Sequence, residues 1–395
     1  MAKSSDLSSS NWECLPDDLI SSIIEKLVRL SDFIQFSIVC KSWNSMASNH
    51  RIQKLNQLSN HQLPWQFMCN RDEKVASLCN YLPNTSPKIF NFQLRIPSRY
   101  ITMMRHCYGS SHGWLVFRDD MEYRYTTELV FLVLLNPLSG AIFRLPLLAT
   151  RLPNRPRSIL YADGFGSVVL SRDPSLGSFE VLIFGAYVAH LKFGDKFWTL
   201  SERLKDFYSP QSLIFYKDRI IGACNYGGIM CLDFTTGVNG SRRIELRKII
   251  PKQDVFIGDC FLSETTFGDL LVVYRYINGE KCGKYKVSKL IESDGQLPRL
   301  VPVNNLDGHS IFLSEQNHSI SVLASNYAGY CRPNSIYYQY RNRQMSCMMK
   351  PRTPNGFCDV EMEEFYLEDQ SCQKHRIPVS LELFWIVPSM TLPPA

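Results

Sequence analysis

Apolar residues near the start of the chain recur at the three- and four-residue spacing of an amphipathic helix. Pro16 stands where a first-turn residue needs no hydrogen bond through its N–H, and Asp17 and Asp18 follow where the positive end of a helix dipole favours carboxylates. The apolar positions on one face are Leu19, Ile20, Ile23, Ile24 and Leu27. The pattern predicts a short first helix with one apolar face.

A second helix is predicted to begin at Ser31 and Asp32, which supply a cap residue and a first-turn carboxylate. Its apolar positions are Phe33, Phe36, Val39, Cys40, Trp43 and Ala47. Two such helices span about forty residues, which is too few to bury a hydrophobic core alone. We therefore expect another protein or domain to complete their apolar surface, so that the segment is a docking element.

From about residue 101 onward the pattern changes to short apolar runs separated by turns rich in Gly, Asn, Asp and Pro. The runs 114–117 and 129–135 are predicted to pair as strands, followed by a turn at 136–140. The run 129–135 is far shorter than the roughly 20 residues of a membrane helix. It therefore predicts a buried strand.

Groups of such strands recur at intervals of roughly 40 to 50 residues without intervening helices. They lie at 114–146, 167–200, 212–246, 260–291, 310–340 and 360–377. This recurrence predicts a β-propeller of about six blades. A β-sandwich or a barrel array is the alternative, because the chain has neither the Gly-Gly, Tyr and Trp series of kelch repeats nor a Trp-Asp series.

The first segment resembles the F-box family over residues 12 to 50. Leu15-Pro16 near the start, Ile23-Ile24 with Leu27 in the first helix, and Val39-Cys40-Lys41 with Trp43 at the end occupy its signature positions. The resemblance implies binding to a Skp-type adaptor of a cullin-RING ubiquitin ligase. The residues it assigns to the adaptor contact or to its support are Leu15, Pro16, Ile20, Ile24, Leu27, Val39, Cys40 and Trp43. An alternative role, for Val39 and Trp43 above all, is packing between the F-box helices.

The rest of the chain resembles plant F-box proteins whose second domain is a KIB-type, kelch-like β-propeller. The motifs that carry this resemblance lie at 63–65, 107–115, 135–140, 194–198, 268–273 and 334–338. The chain departs from the family pattern at 290–307, where a usual Trp is missing and Leu297-Pro298-Arg299-Leu300 stands instead. This departure leaves the packing of one blade open.

The fold class expected from these patterns is a short helical F-box followed by an all-β, kelch-like propeller. The predicted organisation is a disordered tail at 1–10, F-box helices at 11–50, a connector at 51–100 and the propeller at 101–388.

Charge and cysteine usage narrow the possible partners and compartments. The net charge of +6 is mild and its basic residues are dispersed, whereas nucleic-acid binding requires a dense basic patch with exposed aromatic residues. The thirteen cysteines are spaced irregularly, and a Ser-rich polar run stands at the N-terminus in place of an apolar signal segment. We therefore expect an intracellular protein of the nucleus, the cytoplasm or both, with no nucleic-acid or membrane partner.

Three features invite a catalytic or metal-binding interpretation. The segment 109–113 places Ser110 and Ser111 beside His112, but it is neither Gly-x-Ser-x-Gly nor a strand-turn-helix elbow, so we expect closely approaching strands with His112 hydrogen-bonded. The His and Cys residues lack metal-ligand spacing, so no catalytic residue, cofactor or metal is predicted, with a copper site in the propeller channel as the alternative. The acidic run 359–369 predicts a strand with one face in water.

The leading functional hypothesis is a non-catalytic substrate-recognition subunit of an SCF-type ubiquitin ligase. In this hypothesis the F-box binds the adaptor and propeller loops bind an unknown protein target. The alternatives are an adaptor-bound interaction protein without a degradative role, and a small-molecule sensor or enzyme that uses the propeller channel.

Overall fold

The structure is a computed structural model, and it describes most of the chain. The residues described are 12, 15–28, 30–58, 62–70, 75–80, 88–90, 94–102, 107–119, 129–149, 165–185, 187–201, 210–224, 226–236, 242–252, 258–276, 283–293, 295–314, 319–341, 360–377 and 382–387. The tail predicted at 1–10 lies outside them. The helices are α1 (Asp17–Lys26), α2 (Leu30–Ser37), α3 (Lys41–Leu58) and α4 (Ser98–Thr102).

The second predicted helix is divided into two helices, so the expectation of one continuous helix was wrong. At the end of α2 the N–H of Val39 donates to the carbonyl of Phe36 at 3.3 Å. The side chain of Asn44 donates to the carbonyl of Ser37 at 2.8 Å, while the N–H of Asn44 donates to the carbonyl of Cys40 at 2.9 Å. Asn44 therefore closes α2 and belongs to the first turn of α3.

The three N-terminal helices bury a small core of their own. Its fully or nearly fully buried members are Ile20 and Ile24 from α1, Phe33 and Phe36 from α2, and Ala47 from α3. The ring of Trp43 stacks on that of Phe36 with centroids 4.5 Å apart. The segment therefore has internal packing, although a part of its apolar surface stays exposed.

The described strands form six sheets, which we number as blades 1 to 6. Blade 1 contains β1 (Trp65–Asn70), β2 (Val75–Asn80), β3 (Lys88–Phe90) and, from the other end of the chain, β26 (Glu382–Ile386); blade 2 contains β4 (Cys107–Ser111), β5 (Trp114–Asp119), β6 (Leu129–Leu135), β7 (Ile142–Arg144) and β8 (Leu148–Ala149). Blade 3 contains β9 (Phe165–Leu170), β10 (Glu180–Gly185), β11 (Val188–Lys192) and β12 (Thr199–Leu200); blade 4 contains β13 (Ser212–Tyr216), β14 (Arg219–Ala223), β15 (Ile229–Thr236) and β16 (Arg242–Ile250). Blade 5 contains β17 (Asp259–Glu264), β18 (Leu270–Tyr276), β19 (Lys284–Ile291) and β20 (Arg299–Val303); blade 6 contains β21 (His309–Ser314), β22 (Ser319–Leu323), β23 (Ser335–Arg341), β24 (Val360–Tyr366) and β25 (Cys372–Ile377).

The six sheets are the blades of a β-propeller, as the recurrence of strand groups predicted. The strands β26, β4, β9, β13, β17 and β22 are the innermost of their blades, and residues from all six line one central cavity. Hydrophobic clusters fill the space between neighbouring blades; the cluster around Trp114, for example, joins blades 2 and 3. The Nε1–H of Trp114 donates to Asp173 at 2.9 Å within this cluster.

The ring is closed by pairing between the two ends of the chain. The strand β26 runs antiparallel to β1, with Trp65 opposite Ile386. The indole N–H of Trp385 also donates to the carbonyl of Leu313 in blade 6 at 3.1 Å. The range 51–100, which was predicted to be a connector, therefore contains the end of α3 and three strands of blade 1. The pattern did not indicate a blade because the innermost strand of this sheet, β26, comes from the other end of the chain.

Blade 6 differs from the others in its strand order. The chain passes from β21 to the innermost strand β22, and then returns to place β23 parallel to β21, with Ser310 opposite Ser335. Blade 5 is complete despite the departure from the family pattern at 290–307. Its strand β20 pairs with β19, and Leu300 packs on the cluster between blades 4 and 5.

The acidic run in β24 does not have the predicted exposed face. Glu363 and Glu364 point to opposite faces of the strand, yet both side chains are almost fully buried. Glu363 is neutralised by Arg275 of β18, whose Nε and NH2 lie 3.0 Å and 3.1 Å from its two carboxylate oxygens. The alternation of acidic and apolar residues wrongly predicted an exposed face, because the positive charge of Arg275 that pairs with Glu363 comes from another blade.

The buried side chain of Asn136 stabilises the turn after β6. Its Oδ1 accepts hydrogen bonds from the N–H groups of Leu138 and Ser139, each at 3.0 Å. We expect Asn136→Ala to lower the free energy of unfolding by about 1–3 kcal/mol in urea denaturation, because two half-buried N–H donors lose their buried acceptor. Asn305→Ala is the matched control: Asn305 accepts from Asp307 N at 2.7 Å in an exposed turn, where water can replace it. Equal losses for the two variants would contradict this account.

Candidate adaptor-binding surface and propeller channel

The structure separates the eight predicted adaptor-binding residues into buried and accessible groups. Ile20 and Ile24 are 0% and 1% exposed, so they support the F-box core and do not offer a contact surface in this conformation. The half-buried members are Leu15, Leu27, Cys40 and Trp43, and the exposed members are Pro16 and Val39. The candidate contact surface therefore involves the edges of the helices more than their centre.

Trp43 and Cys40 take part in local bonding at the start of α3. The indole N–H of Trp43 donates to the carbonyl of Trp12 at 3.2 Å, and its ring stacks on Phe36. The backbone N–H of Trp43 lies 3.5 Å from the sulfur of Cys40. Trp43 therefore packs within the F-box, as the alternative interpretation held, while Val39 does not.

Large apolar side chains remain exposed on the F-box, and they form what we name the exposed apolar set. Its members and their exposed fractions are Trp12 62%, Leu19 49%, Val28 42%, Ile38 74% and Val39 58%. Sequence reasoning assigned only Val39 among them to the adaptor. Ile38 was missed because it precedes the signature residues and lies in the link that interrupts the predicted helix. Exposed apolar residues concentrated in one small element are typical of a protein interaction site.

The segment 109–113 bonds neighbouring blades together. The Ser110 hydroxyl donates to the carbonyl of Trp385, and the Ser111 hydroxyl oxygen accepts from the N–H of Leu170 at 3.1 Å. His112 Nε2 lies 3.1 Å from the Leu170 carbonyl, which only accepts, so Nε2 carries the proton. Burial lowers the pKa of His112, which keeps the ring neutral. These hydrogen bonds give both serines and the histidine a structural role that does not require either serine to act as a nucleophile.

The cavity in the central channel has a smaller volume than an ordinary ligand pocket. It measures about 130 Å³ and is lined by the innermost strands, and serine residues supply many of the polar groups. Pockets for small molecules and cofactors usually measure about 300–1,000 Å³. Within the described part of the chain, no group of three His, Cys, Asp or Glu residues could hold a metal ion. The cavity therefore gives no support to the channel-ligand alternative.

A buried network of charged and aromatic groups joins blades 5 and 6. The Tyr285 hydroxyl donates to Glu363 at 2.5 Å, and the Arg275 guanidinium lies over the rings of Tyr338 and Tyr340 at 4.6 Å and 5.1 Å. Burial alone would raise the pKa of Glu363, but the hydrogen bonds and charge of Arg275 outweigh it and hold that pKa below its ordinary value. A carboxylate saturated by such partners stabilises the structure and has no free position for a substrate.

Comparison with known proteins agrees with both parts of this architecture. Residues 12–55 match the F-box domain, and residues 83–357 match the KIB1-4 beta-propeller family. The F-box protein SKIP23 of Arabidopsis thaliana is 22% identical over 382 residues, which cover 83% of this chain and 84% of that protein.

Solved structures give only distant likenesses. The xyloglucan PUL GH43B of Bacteroides ovatus has a TM-score of 0.29 at 11% identity, covering 71% of this chain and 53% of its own. The Penicillium chrysogenum alpha-L-arabinanase has a TM-score of 0.27 at 11% identity, covering 77% and 86%. Scores this low carry no argument about activity.

A three-helix F-box followed by a six-bladed propeller defines the class of protein to which the structure corresponds. More specifically, the chain belongs to the family of F-box proteins with a KIB1-4 β-propeller. Among the helices described, none has the length and apolar character needed to cross a membrane.

Proposed function

We propose that this protein is the non-catalytic substrate-recognition subunit of an SCF-type cullin-RING ubiquitin ligase. The observation that carries the proposal is the exposed apolar set on a folded F-box, which a Skp-type adaptor would cover. Burying an apolar side chain such as Ile38 or Val39 at an interface contributes about 1.5–3 kcal/mol, so a few of them can support a stable complex.

Within this proposal the F-box residues have two roles. Pro16 and Val39, together with Ile38, contact the adaptor directly, while Leu15, Leu27 and Cys40 present partly accessible edges. Ile20 and Ile24 belong to the F-box core and Trp43 packs against it, so these three residues hold the helices in the binding conformation. The protein acts inside the cell, in the nucleus, the cytoplasm or both, where ubiquitin ligases of this kind operate.

The propeller contributes position rather than chemistry. A closed ring of six blades holds its loops on a rigid scaffold, and loops on such scaffolds commonly form binding sites. A target held there would have a high effective concentration near the ubiquitin-conjugating enzyme.

Proximity labelling by the full chain in cells tests the ligase role. We expect proteins that the wild-type chain labels to accumulate in ubiquitin-modified form when the proteasome is inhibited, and not when the chain carries Ile38→Asp with Val39→Asp. Accumulation in both cases would exclude a role for the F-box. Labelled proteins that never gain ubiquitin would favour the non-degradative adaptor-bound protein instead.

A further inference from the structure

A second cavity lies between blades 3 and 4 and shares Ser171 and Phe215 with the lining of the central cavity. It measures about 640 Å³, within the range of about 300–1,000 Å³ typical of ligand sites. Ser171 and Arg172, directly after β9, line one side, and Lys217 and Asp218, directly after β13, line another. We name this cavity the blade 3–4 cleft.

Three of the six charged residues that line the cleft are paired within the protein. Glu180 accepts from His190 at 2.7 Å and lies 3.9 Å from the Lys192 ammonium. Asp233 pairs with Arg247 at 2.7 Å. These two carboxylates are therefore not available to attract a basic ligand.

Arg219 is also paired, through both of its terminal nitrogens. It forms a bidentate ion pair with Glu292 of the β19–β20 link, in which NH1 lies 3.0 Å from Oε1. Its guanidinium is thereby fixed at the rim of the cleft and does not need a further anion.

Arg172 and Lys217 differ from the other cations of the cleft. Both are exposed, and neither has a carboxylate within ion-pair distance among the described residues. The Lys217 ammonium lies 4.9 Å from the centre of the Tyr216 ring, and a hydrogen bond to Tyr216 with the nearby charges of Asp269 and Glu264 raises the pKa of Lys217. Asp218 is the one lining carboxylate, among those described, that also lacks an ion pair, so two positive charges and one negative charge remain for a partner.

Exposed phenylalanines lie on loops of blades 3 and 5, outside the residues that line the cleft. Phe193 and Phe197, 52% and 81% exposed, belong to the link between β11 and β12, and the N–H of Phe193 donates at 2.8 Å to the carbonyl of Phe179, the residue before Glu180. On the other side, the Tyr216 hydroxyl donates to the carbonyl of Gly268 at 2.8 Å. Gly268 follows Phe267, which is 63% exposed.

The cleft lining carries three positive and three negative charges, but among its described groups without an ion pair two are positive and one is negative. Exposed aromatic rings lie on the same face of the propeller. Aromatic residues and arginine are the residue types most enriched where protein interfaces gain their energy. A carboxylate is the complementary group for Arg172 and Lys217, since each cation can form a charge-assisted hydrogen bond to it.

We propose that the blade 3–4 cleft binds an acidic segment of the target protein, with an Asp or Glu side chain between Arg172 and Lys217 and flanking apolar side chains on the exposed phenylalanines. This inference rests on the proposed function, since it names the chemistry of the target that the propeller would recognise. The paired acids of the cleft disfavour a basic segment.

A positional-scanning library of synthetic peptides, presented to the full chain in complex with a Skp-type adaptor, tests this inference. We expect the wild-type chain to select Asp or Glu at one position with apolar residues beside it. Arg172→Glu with Lys217→Glu should weaken binding of the selected peptides at least about tenfold. Arg243→Glu with Lys286→Glu is the matched control, since it makes the same charge change at exposed strand positions outside the cleft.

The outcomes distinguish the cleft from the ligase role. A library without acidic preference, or an equal loss in both double variants, would overturn the cleft assignment. If the chain with Arg172→Glu and Lys217→Glu labelled the same target proteins as the wild-type chain, the cleft assignment would also be overturned. The proposed ligase role would be unaffected by that result. Selection of acidic peptides without any F-box-dependent ubiquitin-modified target would instead refute the ligase role alone.

Discussion

Replacement of Arg275 by methionine is expected to lower the free energy of unfolding by about 3–5 kcal/mol, because it leaves the Glu363 carboxylate buried without its counter-charge. The two side chains are 7% and 1% exposed, so water cannot solvate the remaining charge. Tyr285 and the N–H of Gly283 would still donate to Glu363, at 2.5 Å and 3.2 Å, but neither carries a charge. The remaining cation, Lys374, is 34% exposed and lies 3.8 Å from Glu363 Oε1, so it replaces the buried guanidinium only in part. Urea denaturation of the purified chain, followed by tryptophan fluorescence, measures the loss.

The surface pair of blade 4 provides the control. Arg247 also pairs with a carboxylate, that of Asp233, but the side chains are 59% and 40% exposed, so Arg247→Met should cost less than about 1 kcal/mol. The double variant Arg275→Met with Glu363→Met should be more stable than Arg275→Met alone, because it removes the unpaired charge. If both Arg→Met variants lost the same stability, burial would not be the reason for the effect.

The same pair gives the stability a defined dependence on pH. The pKa of Glu363 in the folded chain lies below the ordinary value of 4.5: burial raises it, but Arg275 together with the hydrogen bonds from Tyr285 and Gly283 lowers it by more. The stabilisation is therefore fully present above about pH 4.5 and is lost as the pH falls through the lowered pKa. Relative to Glu363→Gln, the wild-type chain should lose its advantage only in that acidic range, and an advantage that grew on acidification would contradict the shifted pKa.

Local sequence patterns predicted those features that depend on neighbouring residues. The fixed offsets from Leu15-Pro16 to Trp43 indicated the F-box, and the strand pair 114–117 with 129–135 is found as β5 and β6, with Leu115 opposite Leu135. Four of the six predicted strand groups correspond to blades 2 to 5, because each of those blades is built from consecutive strands. The groups 310–340 and 360–377 both lie in blade 6, and blade 1 lies in the range predicted as a connector, so the number of blades agreed although two of the groups were not separate blades.

Features that join distant residues could not be predicted in this way. Pairing of β26 with β1 joins the two ends of the chain, so the pattern of apolar residues around Trp65 did not predict a blade, although 63–65 is one of the motifs of the family resemblance. Likewise, the charge of Arg275 that allows Glu363 to be buried comes from a different blade. The break at Val39 was hidden for another reason: apolar residues continue at helical spacing through the link between α2 and α3.

The candidate surfaces also combine features that neighbouring residues predicted with features that depend on distant residues. The F-box signature located the element for which we propose adaptor binding, but exposure then divided its residues, since Ile24 is buried while Val39 is 58% exposed. The blade 3–4 cleft had no signal in the sequence, because Arg172 and Lys217 come from separate blades and become neighbours only in the closed ring.

Ile38→Asp with Val39→Asp is expected to weaken binding of a Skp-type adaptor at least about a hundredfold while the F-box stays folded. These side chains are 74% and 58% exposed in the free chain, so replacing them removes little internal packing. At an interface each would contribute about 1.5–3 kcal/mol, and 1.4 kcal/mol corresponds to a factor of ten in affinity. Titration of the full chain with purified adaptor, by fluorescence anisotropy or calorimetry, measures the change.

Two further variants separate contact from support. Leu297→Asp is the matched control, because Leu297 is 90% exposed on the propeller and its replacement makes the same chemical change away from the F-box. Ile20→Ala with Ile24→Ala should also abolish adaptor binding, but through a loss of about 2–5 kcal/mol per side chain from the F-box core, so that protease cleavage within α1 to α3 increases. Full adaptor affinity in the Ile38 and Val39 variant, with the helices resistant to protease, would show that the adaptor binds elsewhere. Loss of affinity with that resistance preserved would place the contact at the link between α2 and α3, and would leave Ile20 and Ile24 the structural role that their burial assigns to them.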